Sequence, residues 1–167
     1  MNTVLLSVVN RLVHLFPATK FWGAKRFLFR TCGIRIGKNV KICSSVTILG
    51  DSDISIGDNV WIGHETMIIA SAPISIAANV NIAPRCYIGT GTHEIDLAAP
   101  SVAGKGKSCP ITISEGVWCC THVVFLPGIT IEKSSIVAAG AVVTHNVPPR
   151  QLWGGIPARF IRSLVEY

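Results

Sequence analysis

Ile34-Arg-Ile-Gly-Lys-Asn-Val-Lys-Ile42, Ile54-Ser-Ile-Gly-Asp-Asn-Val-Trp-Ile62 and Ile74-Ser-Ile-Ala-Ala-Asn-Val-Asn-Ile82 are three renderings of one phrase, twenty residues apart. A fourth, Ile111-Thr-Ile-Ser-Glu-Gly-Val-Trp-Cys119, and a fifth, Ile129-Thr-Ile-Glu-Lys-Ser-Ser-Ile-Val137, lie eighteen apart. Within each copy the period is six. Positions 36, 42, 48, 56, 62, 68, 76, 82, 88, 113, 119, 125, 131, 137 and 143 form one class, eleven of them Ile and the others Cys119, Phe125, Val137 and Val143. Four residues after each comes a second class of small or β-branched residues, from Val40 and Val46 to Ala141 and Val147. A helix would repeat at three and four and a simple strand at two, so period six needs another object.

That object is a coil of short strands joined by tight corners. The large residue fills the interior, the small one fits where the chain turns, and a polar residue between them meets solvent. Corners often need positive φ, which accounts for Asn39, Asn59, Asn79, Gly116, Gly128 and Gly140. Three hexapeptides close a triangular turn of eighteen residues, and the early spacing of twenty is one turn with two extra residues at a corner. Five turns at one strand spacing each make a prism roughly 24 Å tall. A β-sandwich of short strands is the competing architecture, but it has no reason to keep a strict six. The period itself carries no handedness, and parallel crossovers are nearly always right-handed.

The chain has 167 residues, 49% of them apolar and 14% charged, which suits one domain and argues against disorder. A net charge of +6 suits a partner carrying phosphates: a nucleotide-like cofactor, an anionic lipid surface or nucleic acid. The basic residues are scattered along the sequence without interleaved aromatics, so no nucleic acid is expected. Cysteines at 32, 43, 86, 109, 119 and 120 include no C-x-x-C pair and read as free thiols of a reducing cytoplasm rather than zinc ligands. The first 16 residues are interrupted by Asn10, Arg11 and His14, too short and too polar to span a bilayer, with no small-residue cleavage site after them.

The C-terminal half is more specific. Ile113-Ser-Glu-Gly-Val-Trp118, Phe125-Leu-Pro-Gly-Ile-Thr-Ile131, Val137-Ala-Ala-Gly-Ala-Val-Val-Thr144, Val147-Pro148 and Gly155-Ile-Pro-Ala-Arg159, with a Thr92-His93 pair leaving the repeat, resemble the hexapeptide-repeat acyltransferases. The similarity is to galactoside, maltose and nodulation O-acetyltransferases and to the acetyltransferases of colanic acid and other polysaccharides. It runs from about residue 26 to residue 162. Ala77, Ser114 and Glu132 stand where that family usually has Gly, and Cys120 replaces the Gly after the aromatic. The resemblance implies an all-β fold, a left-handed parallel β-helix assembled as a homotrimer, and an acetyl-CoA-dependent O-acetyltransferase needing no metal. The expected layout is a helical cap over 1–33, a prism over 34–150 with an excursion at 93–110, and a C-terminal tail and short helix over 151–167.

The register breaks after Thr92 and resumes at Ile113, and a long loop on a rigid scaffold is a usual place for function. The resemblance makes His93 the general base for an acceptor hydroxyl, with the loop covering a neighbouring subunit's cleft. A sugar hydroxyl is a poor nucleophile until its proton leaves, and imidazole titrates near operating pH. Glu94 and Asp96 are the carboxylates adjacent to it, to orient the ring or simply to solvate the loop. The oxyanion donor falls by resemblance at the Cys120–Thr121 peptide. The same resemblance puts the pantetheine arm against Trp118, Thr121, Ala139, Gly140 and Thr144, with Arg159 and Arg162 near the nucleotide phosphates. His145 stands where a Lys is frequent. Galactoside-type enzymes place an Asn on the acceptor side, and here that position holds Glu65 beside His64, which leaves the acceptor open: a saccharide, probed first, or an antibiotic or amino acid.

Gly104-Lys-Gly-Lys-Ser108 imitates the end of a phosphate-binding loop, but Ser101 occupies the first Gly position and no helix pattern follows. His64, His93 and His122 are 29 residues apart, and γ-class carbonic anhydrases bind metal with three histidines on a related prism. Their close histidine pair is missing here, so a metal-binding prism is the lesser alternative. Val4, Leu5, Val8, Val9, Leu12, Val13 and Phe16 form one helical stripe ended by Pro17, and a second apolar and basic segment runs from Lys20 to Arg30. The bland reading is a cap over the open end of the solenoid. The sharper one is peripheral contact of residues 1–32 with the inner face of an anionic membrane. Arg26-x-Leu-x-Arg30-x-x-Gly33-Ile-x-Ile-Gly37 resembles the start of polysaccharide acetyltransferases and turns the acceptor reading towards a glycan precursor.

Overall fold

The computed structural model describes residues 1–164. Two-to-four-residue strands stack in parallel into a three-sided solenoid. Face A runs Arg35–Ile36, Ile54–Ile56, Ile74–Ile76, Ile111–Ile113, Thr130–Ile131. Face B runs Lys41–Ile42, Trp61–Ile62, Asn81–Ile82, Trp118–Cys119, Ile136–Val137, Gln151–Gly154. Face C runs Thr47–Gly50, Met67–Ala70, Tyr87–Gly89, Val124–Phe125, Val142–Val143. Faces A and C each hold five strands, and a Val147 bridge to Ile131 together with Gln151–Gly154 begins a sixth turn.

All the residues of the large class are buried, forming continuous columns of Ile, Val, Cys119 and Phe125. The second class is buried too, except Ser52 and Thr92. Both lie at the corner between faces C and A, where the coil carries its extra residues. There Ile54, Ile74 and Ile111 turn inward, and the buried Thr90 hydroxyl accepts the N–H groups of Ser71 and Ala72 at 2.8 and 2.9 Å. The six expected corner residues all have positive φ. On the edge between faces A and B, Asn39, Asn59 and Asn79 pass side-chain hydrogen bonds to one another and on to Glu115, which pairs with Lys133.

Helices α1 (Thr3–His14) and α2 (Trp22–Thr31) close one end. An open solenoid end exposes a ring of unpaired backbone groups, and here side chains satisfy it face by face. Arg30 donates to the carbonyls of Ile36 and Gly37, Arg26 to Val40, and Lys25 to Ile42. On face C, the Asn10 amide accepts from the Ile48 N–H at 3.0 Å and donates to its carbonyl at 2.7 Å, acting as an extra strand. Lys25 is wholly buried; its ammonium also meets the Pro17 and Ala18 carbonyls and the Trp22 ring, and burial pulls its pKa below the usual lysine value. The cap reading therefore holds. Asn10→Ala is expected to orphan a buried donor and acceptor together and to lower unfolding stability by roughly 2–4 kcal/mol in urea titration.

The C-terminal segment corrects the expected helix. Gln151–Gly154 and Arg159–Ser163 form an antiparallel pair at the far end of face B, Leu152 and Trp153 extending the ladder from Ile136 and Val137. Pro148, Pro149, Gly155 and Pro157 deny a helix the N–H groups and dihedrals it needs, while the open edge of face B offers the segment a ladder. The rest of the expected tail, 165–167, lies outside the described residues.

Candidate active site

The excursion is an arm of two antiparallel strands, Gly91–Ile95 and Ala103–Ser108, leaving the edge between faces C and A. The Gly104–Ser108 decoy lies within its second strand. Backbone pairing fixes His93 opposite Gly106, and the imidazole is exposed. At its foot is a groove of about 530 Å³ lined by His93, Glu94, Lys107, Leu126, Pro127 and Thr144 among others. Asp96 serves the arm rather than the imidazole: its Oδ1 accepts the N–H groups of Ala98 and Ala99 at 2.9 and 3.1 Å, an Asx turn at the tip. Glu94 stays beside His93 in the groove, and among the described residues no hydrogen bond joins either carboxylate to the ring.

The edge between faces B and C carries a second polar cluster. Glu65, Arg85, His122 and Gly140 stack there, all with positive φ. Three non-glycine residues in the left-handed region cost roughly 1–2 kcal/mol each, strain more usual at functional than at structural corners. The Arg85 Nε lies 2.7 Å from the Glu65 carboxylate, and that contact holds the carboxyl below the usual glutamate range. The Glu65 N–H donates to Ser45 Oγ, which lies 3.4 Å from His64 Nδ1. Sequence reasoning passed over Arg85. The signal was its register, since 65, 85 and 122 fill the same slot, one before a small corner residue, as Asn39 and Gly140.

Trp118 is half exposed on face B, where Trp61, Asn81, Ala83 and Pro84 complete a groove of about 420 Å³. The Cys120 N–H is committed to the Val137 carbonyl at 2.9 Å, so at the Cys120–Thr121 peptide any oxyanion donor is the Thr121 N–H. The Thr121 hydroxyl donates to the Pro84 carbonyl at 2.7 Å. At Gly140 a Cβ would meet nothing within 4 Å, so the edge beside Ala139 and Gly140 is open and its backbone reachable by an extended amide chain. Arg159 and Arg162 are exposed on the last strand, not on a helix, and among the described residues their guanidinium groups donate to the carbonyls of Ala158 and Ser163.

One chain therefore does not bring the expected site together. His93, Glu94 and Thr144 flank face C on one side, and Glu65, His64, Thr121, Ala139 and Gly140 flank it on the other. Among the described residues no three His, Cys, Asp or Glu side chains stand together as metal ligands.

Known proteins share this fold. A galactoside acetyltransferase solved in complex with coenzyme A superposes with a TM-score of 0.86 at 26% identity, over 98% of this chain and 80% of that one. A hexapeptide-repeat acetyltransferase of Vibrio cholerae, complexed with acetyl coenzyme A, gives 0.81 at 27% identity, over 98% and 87%. The galactoside O-acetyltransferase of Escherichia coli is 44% identical over 61 residues, 36% of this chain and 30% of that enzyme. In fold and in sequence the chain is similar to hexapeptide-repeat acetyltransferases. No family model matches it. The sequence relatives of this hexapeptide-repeat protein align over less than half their own length, 41% and 30% for the first two. Superposition at 0.86 is achievable only between coils of one hand, so the prism winds in the same sense as the galactoside acetyltransferase.

Proposed function

We propose that this chain transfers an acetyl group from acetyl-CoA to a saccharide hydroxyl, in a homotrimer whose active sites lie between subunits. One observation carries the reading: the two half-sites flank face C, whose outward rows are apolar. Its outward rows are Thr47, Met67, Tyr87, Val124 and Val142, and Leu49, Ile69 and Leu126. Face A presents Arg35, Ser55, Ser75, Thr112 and Thr130 in the same outward register. Three prisms with face C towards a common axis bury that apolar surface. The same packing sets the His93 edge of each against the Thr121–Gly140 edge of the next.

In that setting the neutral His93 ring removes the proton from the acceptor hydroxyl as its oxygen attacks the thioester carbonyl carbon. The resulting oxyanion is met by the Thr121 N–H of the neighbouring prism. Collapse expels the CoA thiolate, which takes the proton back from the imidazolium, leaving an ester and free thiol. Glu65, held ionised by Arg85, is the acceptor-side contact, with His64 beside it. A donor made in the cytoplasm places the reaction there, and the acceptor is a glycan or glycan precursor.

A panel of mono- and oligosaccharides incubated with acetyl-CoA, scored by free thiol release, tests the reading. Release with at least one saccharide supports it, and release only with amines or non-sugar alcohols refutes the acceptor class. Arg162→Ala is expected to bind acetyl-CoA about ten- to a hundred-fold more weakly, the loss of one charge-assisted phosphate contact. The same variant should lose the parent's preference for acetyl-CoA over its 3′-dephospho form. Equal discrimination by parent and variant would assign that phosphate elsewhere.

A further inference from the structure

The cap does more than close the solenoid. α1 buries Leu6, Val9, Asn10 and Val13 against the prism and leaves Val4, Val8, Leu12 and Leu15 exposed, Val4 at 77% and Leu15 at 82%. At 100° per residue these two sets lie on nearly opposite sides of the helix. The direction of the exposed set follows from Asn10. Its amide bonds to Ile48 along the ladder direction, which is the prism axis, so the opposite side of α1 points away from the solenoid along that axis. Leu12, Leu15 and Phe16 of this end enclose an apolar cleft of about 330 Å³ with Leu28; Phe21, whose ring lies 5.8 Å from that of Phe16, is 60% exposed, and Phe27, next to Leu28 in α2, is 66% exposed.

Charge follows the same division. The first fifty residues hold eight Lys and Arg and no acid, whereas the remaining 117 hold seven Lys and Arg and nine acids. The whole positive excess of the chain thus sits at the capped end. Some of those cations cap backbone, but Arg11 and Lys20 are exposed and, among the described residues, have no ion-pair partner. Among the described residues no helix is long and apolar enough to cross a membrane. An apolar face with unpaired cations matches the chemistry of an interface between lipid headgroups and acyl chains.

We propose that the capped end is a docking surface for an anionic membrane: Val4, Val8, Leu12, Leu15 and Phe27 enter the headgroup–acyl boundary while Arg11 and Lys20 meet lipid phosphates. A second copy stacked end to end would set two net-positive ends, each with exposed Arg11 and Lys20, against one another, which charge opposes. In a trimer with parallel prism axes the three caps face the same way, so three shallow contacts act together. The surface stands apart from both half-sites, so its test does not depend on acetyl transfer.

The full chain is to be sedimented with vesicles of phosphatidylcholine alone and of phosphatidylcholine mixed with phosphatidylglycerol, alongside sedimentation velocity without lipid. The parent is expected to pellet with the mixed vesicles and to be released by salt. Arg11→Ser/Lys20→Ser should weaken that partition by more than about tenfold, from the usual contribution of a basic residue near an anionic surface. Val4→Ser/Leu15→Ser/Phe27→Ser, all at exposed positions, should weaken it as much while retaining the parent's melting temperature. Absence of binding to the mixed vesicles overturns the proposal. So does equal binding to phosphatidylcholine alone, or a serine triple variant that binds like the parent. Lipid-independent self-association abolished by the triple variant would also overturn it, assigning the face to a second copy.

Discussion

His93→Ala is expected to lower kcat for acetyl transfer by about 10²–10⁴-fold while leaving the fold and CoA binding as they are. The ring is exposed on a two-stranded arm whose pairing is made by backbone, His93 opposite Gly106, so no core contact is lost with it. Trp118, Thr121 and Gly140, the proposed donor side, are held by the backbone ladders of their own prism, so removing an imidazole from a neighbouring arm leaves the shape of that groove intact. The signature is thus a fall in kcat with an unchanged Kd for CoA, checked by steady-state kinetics and calorimetry on one preparation. Activity within about threefold of the parent would remove His93 from the reaction. Glu94→Gln is the informative companion. If that carboxylate orients the ring in the assembled site, it loses part of the rate; Asp96→Asn should instead act on the arm's tip, through the two N–H groups it holds.

Met67→Asp should abolish transfer almost as completely without touching any residue of either half-site. Met67 lies in the outward row of face C between Thr47 and Tyr87 and is 39% exposed in the single chain. Around a threefold axis the substitution brings three carboxylates towards one another inside an apolar contact, where neither solvation nor pairing is available. The expected products are folded monomers with the parent's circular dichroism. Their kcat/KM should fall by about 10² or more, because the base and the oxyanion donor then belong to separate particles. Light scattering and kinetics on the same sample decide it. A monomeric variant that keeps full activity would show that one prism holds a complete site, and a trimeric parent that stays trimeric after substitution would place the subunit contact on another face.

The period of six was enough to specify the coil, because interior columns impose it directly: a residue that fills the axis must recur once per side, whatever lies between. Asn39, Asn59 and Asn79 were legible as left-handed corners for a similarly local reason, a side chain that tolerates positive φ. Glu65 and Arg85 adopt the same conformation with residue types that do not favour it, so only their register could have marked them as corners. The C-terminal helix was misread because Gln151–Ser163 takes its conformation from a neighbour, the open edge of face B, rather than from its own preferences. For the site, the sequence identified the residue types and the break at Thr92, since chemistry and interrupted periodicity are both local properties. Which edge each residue occupies, that Asp96 is spent on a turn, and that His93 and the Thr121 N–H stand on opposite sides of face C are set by how turns of the coil stack. Those relations join residues dozens of positions apart, and only the tertiary structure decided them.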